Sequence, residues 1–315
     1  VKFREIFEVP EEAYTIESIL VTEYERQVIE LMQKTPFSSK ALVDLVHEHF
    51  SSQAHTIDPE RFIWHMYHRG VLNKVMVDEE ICYESSTVYT RLAYLAQYEH
   101  DLWKRVPEKI RAGIDKWYVK KYADGALPRL EEIKRGERDL IENAYFFTLD
   151  ETLDLIDSLE EMLYVVPCNC RSIQMNCGKP ENVCILFETG INTEYDRGRG
   201  NVISKEEAKN LVIKADRAGL MHTSETAQAI CNCCGDCCYP IRAAEVIGAT
   251  GTWPKRRYDI TFDSEKCINC GKCVKACNFD AFIKDDQVRF EEDKCLGCTL
   301  CVRHCPVEAI GLEAL

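Results

Sequence analysis

Eighteen cysteines stand in this 315-residue chain, and seventeen of them fall between positions 168 and 305. Towards the C-terminal end, Cys267, Cys270, Cys273 and Cys277 are followed by Cys295, Cys298, Cys301 and Cys305, so that C-x2-C-x2-C-x3-C is written twice. Thiolates two residues apart on a tight loop clasp adjacent corners of one iron-sulfur cube. The cysteine three residues further on lies on a helical turn, points away, and reaches a second cube. Zinc also uses C-x2-C pairs, but it needs only four ligands and gains nothing from a third cysteine at the same spacing in each half.

These eight residues resemble the bacterial two-cluster ferredoxins. The resemblance implies that Cys267, Cys270, Cys273 and Cys305 hold one [4Fe-4S] cluster and that Cys295, Cys298, Cys301 and Cys277 hold the other. Pro306 follows the last cysteine as in the family, whereas Asn278 replaces the proline expected after the fourth. Gly271 and Gly297 suit a backbone that approaches a cluster closely and offers N–H groups to its sulfurs.

Nine further cysteines lie upstream: Cys168, Cys170, Cys177 and Cys184, then Cys231, Cys233, Cys234, Cys237 and Cys238. Adjacent and one-apart cysteines occupy different faces of a loop, so these nine cannot all point at one cube. Two metal centres, or one centre with free thiols, fit better, and a zinc site with buried thiols is the plainer alternative. The C-x-C-R and Cys-Asn-Cys-Cys segments, with the terminal module, resemble a group of anaerobe iron-sulfur proteins over residues 140 to 306. That resemblance implies electron transfer within larger redox complexes, through two [4Fe-4S] clusters and one or two more. A rival reading makes a middle cluster catalytic, with Arg171 or His222 supplying charge or a proton.

The elements that position these cysteines can be read from periodicity. Apolar residues at helical spacing predict one helix over 15–34, a second to Phe50 capped by Ser38 or Ser39, and a third from Asp58-Pro59 to Arg69, stopped by Gly70. Val75–Val77 and Ile81–Tyr83 read as a β-hairpin. This order resembles a winged-helix domain over residues 15–90. That domain's DNA-binding reading would use Arg61, His65, His68 and Arg69, and its alternative is a docking module. Cys82, isolated there, reads as a small buried hydrophobe.

A helix over Pro107–Tyr122 carries Lys116, Trp117, Tyr118, Lys120 and Lys121, which would suit an acidic redox partner or simply face solvent, and 127–136 reads as a linker. Beyond it, strands at 144–147, 162–166 and 184–187 and helices at 150–161 and 204–218 suggest two β-α-β-like halves, each ending in cysteines. The expected fold is α+β: a winged-helix-like domain over 1–100, a basic helix and linker over 101–140, a cysteine-rich α/β domain over 141–257 and a ferredoxin domain over 258–315. Arg197-Gly198-Arg199-Gly200 invites a phosphate-binding reading, but no nucleotide fingerprint frames it, and a turn is the better account.

A net charge of −14 opposes general attraction to nucleic acid or anionic membrane and points to protein partners. No apolar run is long enough for a transmembrane helix. Val1–Pro10 has no apolar core of signal-peptide type, which makes the cytoplasm the default expectation, and in a reducing compartment so many cysteines argue for metal or redox chemistry rather than disulfides. The expected function is electron transfer to or from a partner oxidoreductase. A reductase with a catalytic middle cluster is the alternative, and a redox-sensing winged-helix regulator is the third option.

Overall fold

The computed structural model describes residues 2–51, 57–137, 144–225 and 228–315. The expected boundary at 140/141 lies outside the described residues. Two compact units form. The first runs to Asp115 and includes Thr189–Gly200; the second comprises Lys116–Glu188 and Asn201–Leu315. No helix among the described residues is long and apolar enough to cross a membrane.

In the first unit the helix expected over 15–34 is broken. Thr22 caps a helix over Glu23–Met32, its hydroxyl accepting from Glu25 N while Glu25 Oε2 accepts from Thr22 N at 2.7 Å. This reciprocal capping box satisfies two N–H groups that a continuous helix would have bonded internally, so the chain turns there. The helices Ser39–Phe50 and Pro59–His68 begin at the expected caps, Ser38 and Asp58. Strand β1 (Phe37–Ser38) pairs with the hairpin of β2 (Leu72–Val77) and β3 (Glu80–Ser85) in the order β1-β3-β2. Cys82 is buried there, as a small hydrophobe should be.

Two buried features hold this unit. Arg69 Nη1 donates to both carboxylate oxygens of the fully buried Glu25, at 2.5 and 2.6 Å, and Arg69 and Arg91 both pair with Glu99. The second is the Thr189–Gly200 segment. Arg197, 1% exposed, donates to Tyr67 O, Leu72 O and Asn73 Oδ1 at 2.6–2.7 Å. Asn192 exchanges two 2.7 Å hydrogen bonds with the Lys74 backbone. The Arg-Gly-Arg-Gly stretch is therefore a clamp across the hairpin, with its first guanidinium spent on backbone carbonyls.

The second unit is built on a six-stranded sheet of β4 (Ala144–Phe147), β5 (Leu163–Pro167), β6 (Asn182–Leu186), β7 (Asn201–Ile203), β8 (Met221–Glu225) and β9 (Ala229–Cys233). Their order is β4-β8-β9-β6-β5-β7 and each neighbouring pair is antiparallel. The two expected strand-helix-strand crossovers exist, but other strands separate the two strands of each, so one interleaved sheet replaces two halves. Helices Leu149–Ser158 and Lys205–Arg217, each opened by a capping box, cover one face through Ile156, Val212, Ile185 and Ile230. The basic helix runs from Glu108 to Ala126, past the expected stop, and Leu130–Lys134 is helical where a linker was expected. Tyr118, expected to be available for docking, is buried and stacked on Tyr239 at 5.2 Å.

The C-terminal module has two-fold character. Strand β10 (Tyr258–Phe262) pairs with β13 (Ile310–Ala314), β11 (Phe282–Lys284) with β12 (Val288–Phe290), and helices Lys272–Ala276 and Leu300–His304 occupy matching positions in the two halves.

Candidate metal centres

The repeat in sequence becomes a repeat in hydrogen bonding. Cys267 Sγ accepts from Asn269 N and Cys295 Sγ from Gly297 N, both at 3.4 Å. Cys277 Sγ accepts from Ala281 N and Cys305 Sγ from Ala309 N, both at 3.2 Å. These donors can aim at sulfur because matched residues adopt the left-handed conformation: Asn269 with Gly297, and Gly271 with Thr299. At Gly297 a Cβ would lie 2.7 Å from Tyr258 O, so only glycine lets the backbone come this close.

Cys277 of the first half lies beside the cysteines of the second. Burial raises the Cys295, Cys298 and Cys301 thiols, Cys298 to about 12, and the charge of Cys277, from the other half, adds to all three. Cys273 is raised by burial and faces Cys267 and Cys270. Thiols pushed up this way favour deprotonation by a metal rather than by water. The two sets share a core of Ile260, Phe282, Val288 and Ile310.

The nine middle cysteines separate into two groups. Alternation along β6 and β9 sends Ile185 and Ile230 to the helix-covered face and Cys184, Cys231 and Cys233 to the other. There Cys184 Sγ lies 3.9 Å from Cys231 Sγ, Cys231 faces Cys233, and Cys233 faces Cys238. Cys231, Cys233 and Cys238 pack in the same apolar cluster as Cys298 of the C-terminal module. The remaining five, Cys168, Cys170, Cys177, Cys234 and Cys237, pack instead with Val183, Ala215 and Leu220. The adjacent pairs 233/234 and 237/238 thus each split between the groups, whereas the one-apart pairs 168/170 and 231/233 each stay together, contrary to expectation; Cys231 and Cys233 do so because they sit two apart on a strand and share a face.

Arg171 governs the five-cysteine group. It is 1% exposed, donates to Pro180 O and, at 3.0 Å, to Asn232 O, and its Nη2 stands 3.6 Å from Cys234 Sγ. The neighbouring Cys237 thiol, against burial and helped by Arg171, holds Cys234 down to about 6. Cys170 and then Arg171 do the same for Cys168, to about 7. His222 is not among these cysteines. Asn232 Nδ2 donates to Val183 O at 2.6 Å, which leaves Oδ1 to accept from His222 Nδ1 at 2.7 Å. His222 Nε2 is therefore a bare acceptor without a partner. Burial keeps the ring neutral by lowering its pKa. The ring lines a cavity of about 290 Å³ with Asp216, Arg303, Thr299 and Cys298.

Two residues escaped the sequence reading. Asn278, visible only as a departure from the family's proline, accepts from Gly235 N at 3.2 Å and Lys179 Nζ at 3.1 Å and donates to Gly219 O at 3.2 Å. It fastens the residue after Cys277 to the loop between Cys234 and Cys237. Asp236, inside that loop, places a carboxylate oxygen among three thiols. Of the DNA-reading candidates, Arg69 is buried in its ion pairs and His68 Nδ1 lies 2.6 Å from Arg197 O, while Arg61 and His65 remain exposed.

Comparison with known proteins agrees with the C-terminal geometry: the family of the 4Fe-4S dicluster domain matches residues 261–312. No curated protein and no solved structure matches the chain. The C-terminal module is thus a 4Fe-4S dicluster domain, which binds [4Fe-4S] clusters and belongs to iron-sulfur electron transfer.

Proposed function

We propose that this chain is an electron-transfer protein or subunit with three iron-sulfur clusters in line, exchanging electrons with a partner oxidoreductase. Cys267, Cys270, Cys273 and Cys305 hold the first cluster, Cys295, Cys298, Cys301 and Cys277 the second, and Cys184, Cys231, Cys233 and Cys238 the third. A bound [4Fe-4S] cluster supplies reversible one-electron exchange. The observation that carries the reading is the packing of Cys231, Cys233 and Cys238 in one apolar cluster with Cys298 of the second site. Backbone N–H donors on Cys267, Cys277, Cys295 and Cys305 stabilise the more negative, reduced state.

Acidic residues at Asp285-Asp286 and Glu291-Glu292-Asp293 between the two halves favour a partner with a basic docking surface. The helix, short strand, two helices and hairpin of the first unit support reading it as a winged-helix-like adaptor rather than a DNA reader, since Arg69 is committed to Glu25 and Glu99. One observation favours a second reading as a reductase, the bare Nε2 of His222 in a cavity against Cys298.

Iron and acid-labile sulfide per chain, measured after anaerobic purification, test the proposal. Three cubes require about twelve of each, at four per cube. Sulfide near zero, with zinc as the main metal, sinks it.

A further inference from the structure

Cys177, Cys234, Asp236 and Cys237 form, among the described residues, the one group of thiols and carboxylates whose ligand atoms all lie within 4.8 Å of one another. The eight cysteines of the dicluster module form no such group, and neither do Cys184, Cys231, Cys233 and Cys238. What sets the group apart is that all four atoms are mutually close, as ligands of one tetrahedral ion must be, since at a zinc–sulfur distance of about 2.3 Å they stand about 3.8 Å apart; Cys184 Sγ and Cys231 Sγ, 3.9 Å apart, are a close pair outside any such group. The geometry points to a single-ion site, distinct from the clusters, in which Cys177, Cys234 and Cys237 bind one zinc ion and the Asp236 carboxylate completes the tetrahedron.

The surroundings fit this charge. Three thiolates and a carboxylate around a divalent ion leave a net charge of two minus. Arg171, whose guanidinium has no carboxylate among its partners, stands 3.6 Å from Cys234 Sγ and offsets part of it. The Asn176 side-chain amide, with Oδ1 placed 3.7 Å from Cys237 Sγ, can turn its NH2 to that sulfur once the sulfur is a metal-bound thiolate. Three of the four ligands lie on the Cys234–Cys237 turn, which is fastened through Gly235 N to Asn278, the residue after Cys277. Zinc is redox-inert, so the ion is a staple. It fixes the turn that abuts the dicluster module.

The inference rests on the electron-transfer reading but is tested separately, by zinc content. The anaerobically purified full chain should contain one zinc in addition to its iron and sulfide. Cys177→Ser and Cys234→Ser should each lose the zinc and keep the iron and sulfide. Asp236→Asn, which keeps the three thiolates, should release zinc to a chromogenic chelator at least about tenfold more readily than the parent, the lower bound for disturbing a metal ligand's shell. Cobalt, loaded in place of zinc, should show thiolate-to-metal bands that vanish in Cys234→Ser. A parent chain without zinc, loss of iron and sulfide in Cys177→Ser, or unchanged release in Asp236→Asn overturns the assignment. A chain short of iron but carrying its one zinc would instead contradict the electron-transfer reading alone.

Discussion

Gly235→Ala probes the junction between the middle cysteines and the dicluster module. A Cβ at this position would lie 2.5 Å from Asn278 O, 3.2 Å from Asn278 Cβ and 3.3 Å from Phe279 Cε1. Ordinary contact begins near 3.5 Å, so the turn would have to withdraw by about 1 Å. The nearest atom is backbone and cannot rotate away. Gly235 does not adopt a left-handed conformation, so the effect comes from contact alone. Overpacking of this kind costs about 1–3 kcal/mol, and withdrawal also breaks the 3.2 Å bond from Gly235 N to Asn278 Oδ1, worth about 1 kcal/mol. A loss of about 3 kcal/mol lowers the thermal midpoint of a unit of this size by about 6–12 °C. The assay is anaerobic thermal unfolding of the cluster-loaded chain, followed by the visible absorption of the clusters. A midpoint within about 2 °C of the parent would refute the contact.

Three further outcomes follow from other parts of the molecule. Cys305→Ala should disrupt the cluster of Cys267, Cys270 and Cys273 first and leave the middle domain metallated; selective loss of the cluster of Cys295, Cys298 and Cys301 in the iron spectra would mean that ligation is not crossed. Glu99→Gln should destabilise the first unit by about 3 kcal/mol at pH 7 by leaving Arg91 and Arg69 short of a carboxylate. Burial alone would raise Glu99, but Arg91 and Arg69 hold it below the usual range, so its contribution is present above about pH 4.3 and is lost as pH falls through the folded value; the variant's acid-unfolding curve should be flatter in that window. Arg197→Ala should cost the first unit about 3 kcal/mol or more, because it strands the carbonyls of Tyr67 and Leu72; an unchanged midpoint in chemical denaturation would return this arginine to the list of ligand-binding candidates.

Spacing made the dicluster module legible because each ligand's direction follows from its offset on a loop or a short helix. The capped helices were legible for a similar reason: Ser38 and Asp58 act within four residues of themselves. What sequence could not show was anything decided by distant contact. The burial of Tyr118 against Tyr239, the return of Arg197 to the hairpin and the split of Cys233 from Cys234 all depend on partners far along the chain. The strand-helix-strand pattern gave part of the middle sheet but neither β7 nor β9, which carries Cys231 and Cys233, and not the interleaving, since periodicity carries no information about which strands become neighbours. Asn278 was seen as an exception, and its reason lay in Gly235, Lys179 and Gly219.

The most direct measurement is low-temperature electron paramagnetic resonance on the anaerobically reduced full chain. On the proposed ligation the two C-terminal cubes lie close together, and Cys231, Cys233 and Cys238 share an apolar cluster with Cys298. The reduced chain should therefore show the broadened spectrum of two interacting [4Fe-4S] centres, with a further iron-sulfur signal that disappears in Cys184→Ser while the interacting pair persists. A fully reduced chain showing only isolated, non-interacting centres, or no paramagnetic iron signal, would contradict the account.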